Sequence, residues 1–488
     1  MNFGDVEFIA LFLPLVWAAH GLLPRRAAAQ NALLVAASYA FFASWSPPLL
    51  VTIVASTLAH YGLVRAMRRS ADERARGRVF ALGVALSLGQ LVAFKYLGFF
   101  AETANAAARA LGGRASLPVV HFVLPVGISF WTLQQLSWLA DVRDERDPGD
   151  ATLLEYAAWV AFFPRLVSGP IVRGRELLPQ LRAARGLRVD DLGRGAARFF
   201  RGFVAKYLIA ATVGATLVDP VFAAPDHFTR ASHWAALAGY AAQVYADFAG
   251  YSEMALGCAA LFGLTLPENF NHPFFARSML EFWRRWHMTL TSWLFDYIYS
   301  PLVTGGGRLR GRLDLGFLVV FAVSGLWHGA TWAFVAWGAL HGAALAVHRR
   351  WDELYRGLCR RDRAWVARRK TVGYLAGAWA VTQGFFLVSL VPFRAATLPA
   401  AGAFARGLVV ARGAAAIDVG SSRNLQAIVV SLGLLAGWEL LHLERLRPAL
   451  DRLRALPAPV RGLAYGALAA YLALFMPLTG AAFIYAQF

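Results

Sequence analysis

Charge is what this sequence has least of. Only 16% of its 488 residues are Asp, Glu, Lys or Arg, against about a quarter in soluble domains. Cysteine is nearly missing as well, with Cys258 in an apolar run and Cys359 among arginines, so no disulfide framework can exist. No CxxC or HExxH pattern occurs, and a zinc centre is not expected. There is no internal repeat, no low-complexity linker and no polar stretch of about 50 residues that could fold as a separate soluble domain. Residues 1–488 read as a single membrane domain. The first apolar run lacks a basic leader and a small-residue cleavage site, so a retained span is expected there and not a signal peptide.

Apolar residues fill the space instead, at 58% of the chain. They gather into runs such as Phe8–Leu23, Phe80–Phe100, Val372–Val391, Ala427–Leu441 and Leu463–Leu478. Runs of about 15–23 residues at 1.5 Å per residue cross, or nearly cross, a hydrocarbon core of about 30 Å. The net charge is +19, yet the arginines sit in short segments between the runs: Arg65–Arg78, Arg173–Arg201, Arg308–Arg312, Arg349–Lys370 and Arg445–Arg461. That is the excess of basic residues expected of cytoplasmic loops, which also meet anionic headgroups of the lipid bilayer. Nucleic acid is not needed to explain the charge.

Taking the basic loops as cytoplasmic places the N-terminus outside. Spans follow near 7–24, 31–45, 47–64, 79–100 and 119–140, then near 198–220, 233–262, 313–328, 331–348, 372–393, 426–443 and 461–478, with the C-terminus outside. The fold class is therefore all-α and polytopic, with about twelve transmembrane helices. Two apolar segments do not fit as crossings. Segment 154–172 carries Pro164, Arg165 and a Ser168-Gly169-Pro170 breaker, and segment 277–303 carries Arg284, Arg285, His287 and Asp296. Both are expected to be re-entrant or interfacial, with freed backbone groups buried in protein.

Ionisable groups inside a bilayer are costly and mark candidate sites. In Phe282–Leu294, read as one helix, Arg284, His287 and Thr291 share a stripe, and Phe282, Trp286, Trp293 and Tyr297 share another. An interfacial helix with its aromatics at the headgroups is the alternative. His328 lies in SGLWHGA, either as a packed, hydrogen-bonded residue or as a base kept neutral by burial. Gly325 and Gly329 beside it allow close helix packing or close approach of a substrate. His341, in WGALHG, reads as supporting. Asp247 and Glu253 lie in a long apolar segment and need partners, with Arg284, Arg285 or a histidine expected. Lys95 and Lys206 read as snorkelling side chains.

The blocks FWRRWH, TSWLFDYIYSPL, GLWHG and WGALHG resemble the bacterial branch of the membrane-bound O-acyltransferases, which includes alginate and peptidoglycan O-acetyltransferases and teichoic-acid D-alanyltransferases. LPVGISFWTLQ at 124–134, AFFPRLVSGPIVR at 161–173, DFAGYSEMALG at 247–257, LPENFNHPF at 266–274 and PFRA at 392–395 are similar to the same branch. So are LFLPLV near the start and the closing FIYAQF. After DYIY the chain departs from the branch's PLGG-N-R pattern, reading Pro301-Leu302-Val303-Thr304-Gly305-Gly306-Gly307-Arg308, so the acceptor is not fixed by the likeness.

The resemblance implies helices and re-entrant segments around a central funnel in a bacterial inner membrane. It implies a catalytic His328 at the family's invariant histidine and His287 at its second one. Asp247, Arg285, His341, Trp286 and Trp327 would support them. No bound cofactor is implied. The donor would be acetyl-CoA or an acyl-carrier-protein thioester, its phosphates met by Arg284 and Arg285, and a periplasmic SGNH/esterase-like partner would complete transfer to a polysaccharide. The chemistry suits the residues: a neutral imidazole can accept a hydroxyl proton, and His287 or Arg285 could face the oxyanion. A lipid-linked saccharide transporter or flippase is the rival reading, but it calls for matching halves with paired broken helices, which the sequence lacks. A membrane glycosyltransferase would call for acidic residues in an early outside loop, where 102–118 offers only Glu102.

Overall fold

A computed structural model describes residues 1–113, 116–120, 122–307, 309–410, 413–417 and 422–441, with isolated positions between 452 and 466. The expected span at 461–478 and the closing FIYAQF lie outside the described residues, apart from a few of those positions. What is described is helix and connection, with no strand. Four helices are long and apolar enough to cross a membrane: Pro47–Arg69, Glu73–Ala110, Val189–Ala223 and Val372–Arg394. Glu7–Leu22, Ala27–Ala43 and Leu313–His328 are shorter and apolar. Arg230–Leu261 and Trp332–Arg361 run for 32 and 30 residues. Threonine hydroxyls open the long helices: Thr229, Thr331 and Thr371 each accept a backbone N–H from the first turn, satisfying a donor that the helix cannot.

Contacts between connections sort them into two ends. At one end Arg185 N donates to Gln30 Oε1 at 2.9 Å, Arg182 to the Asp150 carbonyl at 2.6 Å and Gln180 to the Thr265 carbonyl at 3.0 Å. Arg65 and Asp150 pair there at 3.4 Å, and Arg198 and Glu268 at 2.9 Å. At the other end Thr229 N donates to the Ala415 carbonyl at 3.0 Å, Trp332 Nε1 to Thr103 at 3.2 Å, and Arg394 pairs with Asp219 at 2.9 Å. The first end carries the arginine clusters among the described residues, so the alternation of basic and apolar segments describes a real polarity there; Arg445–Arg461 lies outside the described residues apart from isolated positions.

Both segments that resisted a span assignment are broken. Leu153–Ala161 and Phe163–Leu166 are short helices followed by extended chain to Gly174–Arg182, and all of 156–174 is buried. The second segment is Met279–Trp283, Met288–Leu294, a π-helical turn at Phe295–Tyr299 and Ser300–Thr304. The two meet where Ile171 N donates to Thr289 Oγ1 at 3.0 Å, and the first is also held by the helix Ala27–Ala43, where Phe163 N donates to Ser38 Oγ at 3.0 Å. Buried irregular backbone survives because these groups are satisfied within protein.

Three expectations need correction. The helix expected over 119–140 begins only at Ile128, because Gly127 takes φ +68° and turns the chain into it. The single helix with two stripes over 282–297 does not form, because His287 takes a left-handed φ of 42° that splits it. A further helix, Leu398–Val409, follows the PFRA motif where none was expected.

Gly127 tests the arrangement. A Cβ there would lie 1.9 Å from the Leu166 carbonyl oxygen, so Gly127→Ala should destabilise by roughly 1–3 kcal/mol through overpacking alone. Gly62→Ala, where a Cβ meets nothing within 4 Å, should be neutral or stabilising. Equal melting temperatures in detergent for both variants would refute the packing described.

Candidate active site

His328 ends the helix Leu313–His328, and only Gly329–Thr331 separate it from the returning helix Trp332–Arg361. The hairpin is tight because glycines face backbone. A Cβ on Gly325 would lie 2.2 Å from the Phe334 carbonyl oxygen, and one on Gly338 2.0 Å from that of Phe321. Gly325 therefore serves helix packing. The buried imidazole of His328 is boxed by Trp327 and Trp337, each with its ring centroid 5.0 Å away, and by Phe393 at 5.4 Å.

The last carbonyls of a helix have no partner within it and carry partial negative charge. Lys95 supplies one here: its Nζ donates to the Trp327 carbonyl at 2.6 Å and lies 3.5 Å from that of His328 and 3.4 Å from Ser129 Oγ. Tyr96 donates to the Leu326 carbonyl at 3.1 Å. Both residues project from a π-helical turn at Val92–Tyr96, a distortion common at functional sites. Lys95 is thus directed inward at the His328 turn and does not snorkel. The sequence flagged it as an intramembrane cation, and the snorkelling reading set it aside.

His287 arrives from the broken segment. Backbone bonds on both sides hold its left-handed conformation: Asn271 N to the Arg285 carbonyl and Met288 N to the Asn269 carbonyl, each 2.9 Å. The Asn269 side chain accepts from Thr289 at 2.6 Å and donates to Ser252 at 3.1 Å. Asn269, within the LPENFNHPF motif, is therefore a positioning residue that the sequence reading did not single out. The His287 ring is fully buried edge-on to Phe248, centroids 4.6 Å apart, and lies 6.4 Å from the ring of His328. Trp327 lies 6.0 Å from His287, so it contacts both histidines.

The other expected residues spread outward. His341 is buried with Nε2 3.0 Å from Ser389 Oγ, and Trp337 stands between it and His328, 4.7 Å from the His341 ring. Trp286 packs among Tyr245, Phe270 and Phe386, one layer from the histidine pair. Asp247 bonds Lys206 in a buried ion pair, which corrects two expectations: its partner is neither Arg284, Arg285 nor a histidine, and Lys206 does not snorkel. Glu253 pairs with Arg198 and Arg201. Arg284 is exposed, and Arg285 is held by Glu281 at 2.9 Å and the Asn271 carbonyl at 3.3 Å. Arg165 is fully buried, and none of its guanidinium nitrogens has a hydrogen-bond partner among the described residues.

Two cavities approach the pair. One of about 200 Å³ is lined by Trp45, Lys95, Gly127, Ser129, Trp327 and His328. The other, about 380 Å³, is lined by Arg198, Arg201, Glu253, Asn269, His272 and Met288 and abuts His287 through Asn269 and Met288. Trp45 belongs to the end away from the arginine clusters, and Arg198 to the end that carries them. The arrangement brings a desolvated histidine pair between a polar vestibule, whose arginines Arg198 and Arg201 are paired with Glu253 and Glu268, and a smaller, more apolar one.

An all-helical membrane protein with a buried histidine pair of this kind belongs to a definable class. Residues 49–391 match the membrane-bound O-acyltransferase family, and the chain belongs to that family. It is 38% identical over 351 residues to a protein named "probable alginate O-acetylase" from Azotobacter vinelandii, covering 72% of this chain and 69% of the relative. It is 32% identical over 442 residues to the peptidoglycan O-acetyltransferase of Helicobacter pylori, covering 83% and 79%. The teichoic acid D-alanyltransferase of Bacillus subtilis is similar at 28% over 252 residues, covering 49% of this chain and 64% of its own. The chain is an acyltransferase.

The Lys206–Asp247 pair makes a stability prediction. Removing one partner of a buried pair costs about 3–5 kcal/mol, whereas replacing both with apolar groups is often neutral. Asp247→Ala should lower the melting temperature strongly, and Lys206→Met with Asp247→Leu should recover most of the loss. A double variant no better than the single one would count against a pairwise role.

Proposed function

We propose that this protein moves an acyl group, acetyl by preference, from a cytoplasmic thioester to a hydroxyl on the far side of a bacterial inner membrane. There it serves O-acetylation of an alginate-, cellulose- or peptidoglycan-like polysaccharide. The observation that carries the reading is the 6.4 Å histidine pair between two cavities. About twelve spans, with the basic end cytoplasmic, would surround the funnel these cavities form. The activities named for the relatives, alginate O-acetylase and peptidoglycan O-acetyltransferase, support acetyl transfer to a polymer.

In this reading the donor is acetyl-CoA or an acyl-carrier thioester, entering the vestibule of Arg198 and Arg201. Arg198 and Arg201 are engaged by Glu253 and Glu268, so the donor's phosphates would be met by the exposed guanidinium of Arg284 with Arg285 beside it. His328 accepts the proton of the acceptor hydroxyl as its oxygen attacks the thioester carbonyl carbon. The tetrahedral adduct collapses, the carbon–sulfur bond breaks, and the leaving thiolate takes the proton back from His328. His287 faces the developing oxyanion. Arg285, held by Glu281, serves the donor's entry. Lys95 holds the carbonyls of the turn that carries His328. A periplasmic SGNH/esterase-like partner would receive the acyl group and pass it to the polymer.

A general base contributes about 10²–10⁴-fold in rate. With radiolabelled acetyl-CoA and protein in nanodiscs, His328→Ala should abolish transfer at normal expression, His341→Ala should be milder and His287→Asn should retain part of the activity. Transfer above about a tenth of wild type in His328→Ala would be falsifying for this mechanism, because it lies below the smallest loss a general base implies. A flippase would give no labelled product at all. Lys95→Met should lower turnover with the donor KM unchanged, and Lys95→Arg should recover part of it; a change in KM alone would remove Lys95 from this role.

A further inference from the structure

Away from the histidines, the helices Trp332–Arg361 and Val372–Arg394 diverge around a cavity of about 990 Å³. Its walls repeat one pattern. Leu340, Ala344, Val347 and Trp351 lie on one helix, and Tyr374, Ala378, Val381 and Phe385 on the other. Each set follows i, i+4, i+7, i+11, a single face of a helix. Small residues hollow the groove, and a Cβ placed on Gly373 or Gly377 meets nothing within 4 Å.

The two ends differ in chemistry. At one, Trp351 Nε1 donates to Tyr374 OH at 3.4 Å across the mouth, with Arg277, His348 and Arg369 around it. Arg369 is engaged by Asp352 at 2.6 Å, and the one acid of the lining, Glu281, by Arg285 at 2.9 Å. Arg277 has no ion-pair partner among the described residues. The other end is lined by Leu340, Ala343, Thr382 and Phe385, and Phe385 lies against the His341 ring, centroids 5.2 Å apart. Eleven residues separate the ends on either helix, which is about 16 Å at 1.5 Å per residue. One leaflet of the hydrocarbon core is about 15 Å deep.

We infer that this groove is a specific site for one anionic glycerophospholipid of the leaflet at the basic end. The groove is a leaflet deep and apolar along that depth. Its aromatic pair stands at headgroup level, where Trp and Tyr favour the interface, and its cations meet a phosphate there. An extended peptide would leave backbone donors unsatisfied along walls that offer almost no polar group, and a helix would bring no phosphate to the cations of the rim. A zwitterionic lipid would fit the walls but would gain less from the positive rim.

The test reads lipid and not acyl transfer, so it stands or falls apart from the proposed reaction. The protein is extracted in mild detergent from membranes of mixed phosphatidylglycerol and phosphatidylethanolamine, and retained lipid is identified by native mass spectrometry. Wild type should keep a single phosphatidylglycerol and melt higher when phosphatidylglycerol is added back. Gly377→Leu fills open space in the groove, so it should elute as folded protein and lose that lipid. Arg277→Glu should abolish the headgroup preference while leaving the groove able to take a chain. Retained phosphatidylglycerol undiminished in Gly377→Leu would overturn the site, and retained lipid of bulk composition in the wild type would reduce the groove to ordinary annular contact.

Discussion

A backbone that leaves the helix inside an apolar interior must find hydrogen-bond partners there, and this constraint shapes the whole site. The break after Ala161 and the break at His287 find them in each other and in neighbours: Ile171 with Thr289, Phe163 with Ser38, Met288 with Asn269, Asn271 with Arg285. The helix ending at His328 meets the same demand through Lys95 and Tyr96. Each histidine is therefore carried by a segment whose irregularity is fixed from outside. Their mutual distance follows from those bonds more than from any contact between the rings.

This explains which features were legible in the sequence. The all-helical class and the position of many apolar helices could be read, because hydrophobic length is a local property of the chain, although only four described helices are long and apolar enough to cross a membrane. The two broken segments could also be located, since Pro164 and the buried charges around His287 are incompatible with an ordinary span. The partners could not. Asp247 and Lys206 are separated by 41 residues and Lys95 and Trp327 by 232, and nothing local says that either lysine turns inward. The left-handed turn at His287 was hidden for the same reason, because it is held by Asn269 and Asn271 and not by a glycine.

The family match and the site coincide closely. Lys95, Asp247, Asn269, His287, His328 and His341 all fall within the matched residues 49–391. The helix Ala27–Ala43 precedes that segment, yet its Ser38 holds the backbone of Phe163. The Phe393 that closes the box around His328 follows it by two residues. The candidate site is thus contained in the shared segment, while part of the frame that keeps its irregular backbone in place comes from outside it.

The shortness of the helix that ends at His328 has a consequence for the membrane around it. Its 16 residues reach only about 24 Å at 1.5 Å per residue, whereas the hydrocarbon core measures about 30 Å. The Gly329–Thr331 link is then submerged by roughly 6 Å unless the lipid adapts. Hydrophobic mismatch of this size is relieved by thinning, at fractions of a kcal/mol per Å. The bilayer should therefore dimple above the histidine, so that the Gly329–Thr331 turn lies in a shallow depression, not at the bottom of a full-depth pore.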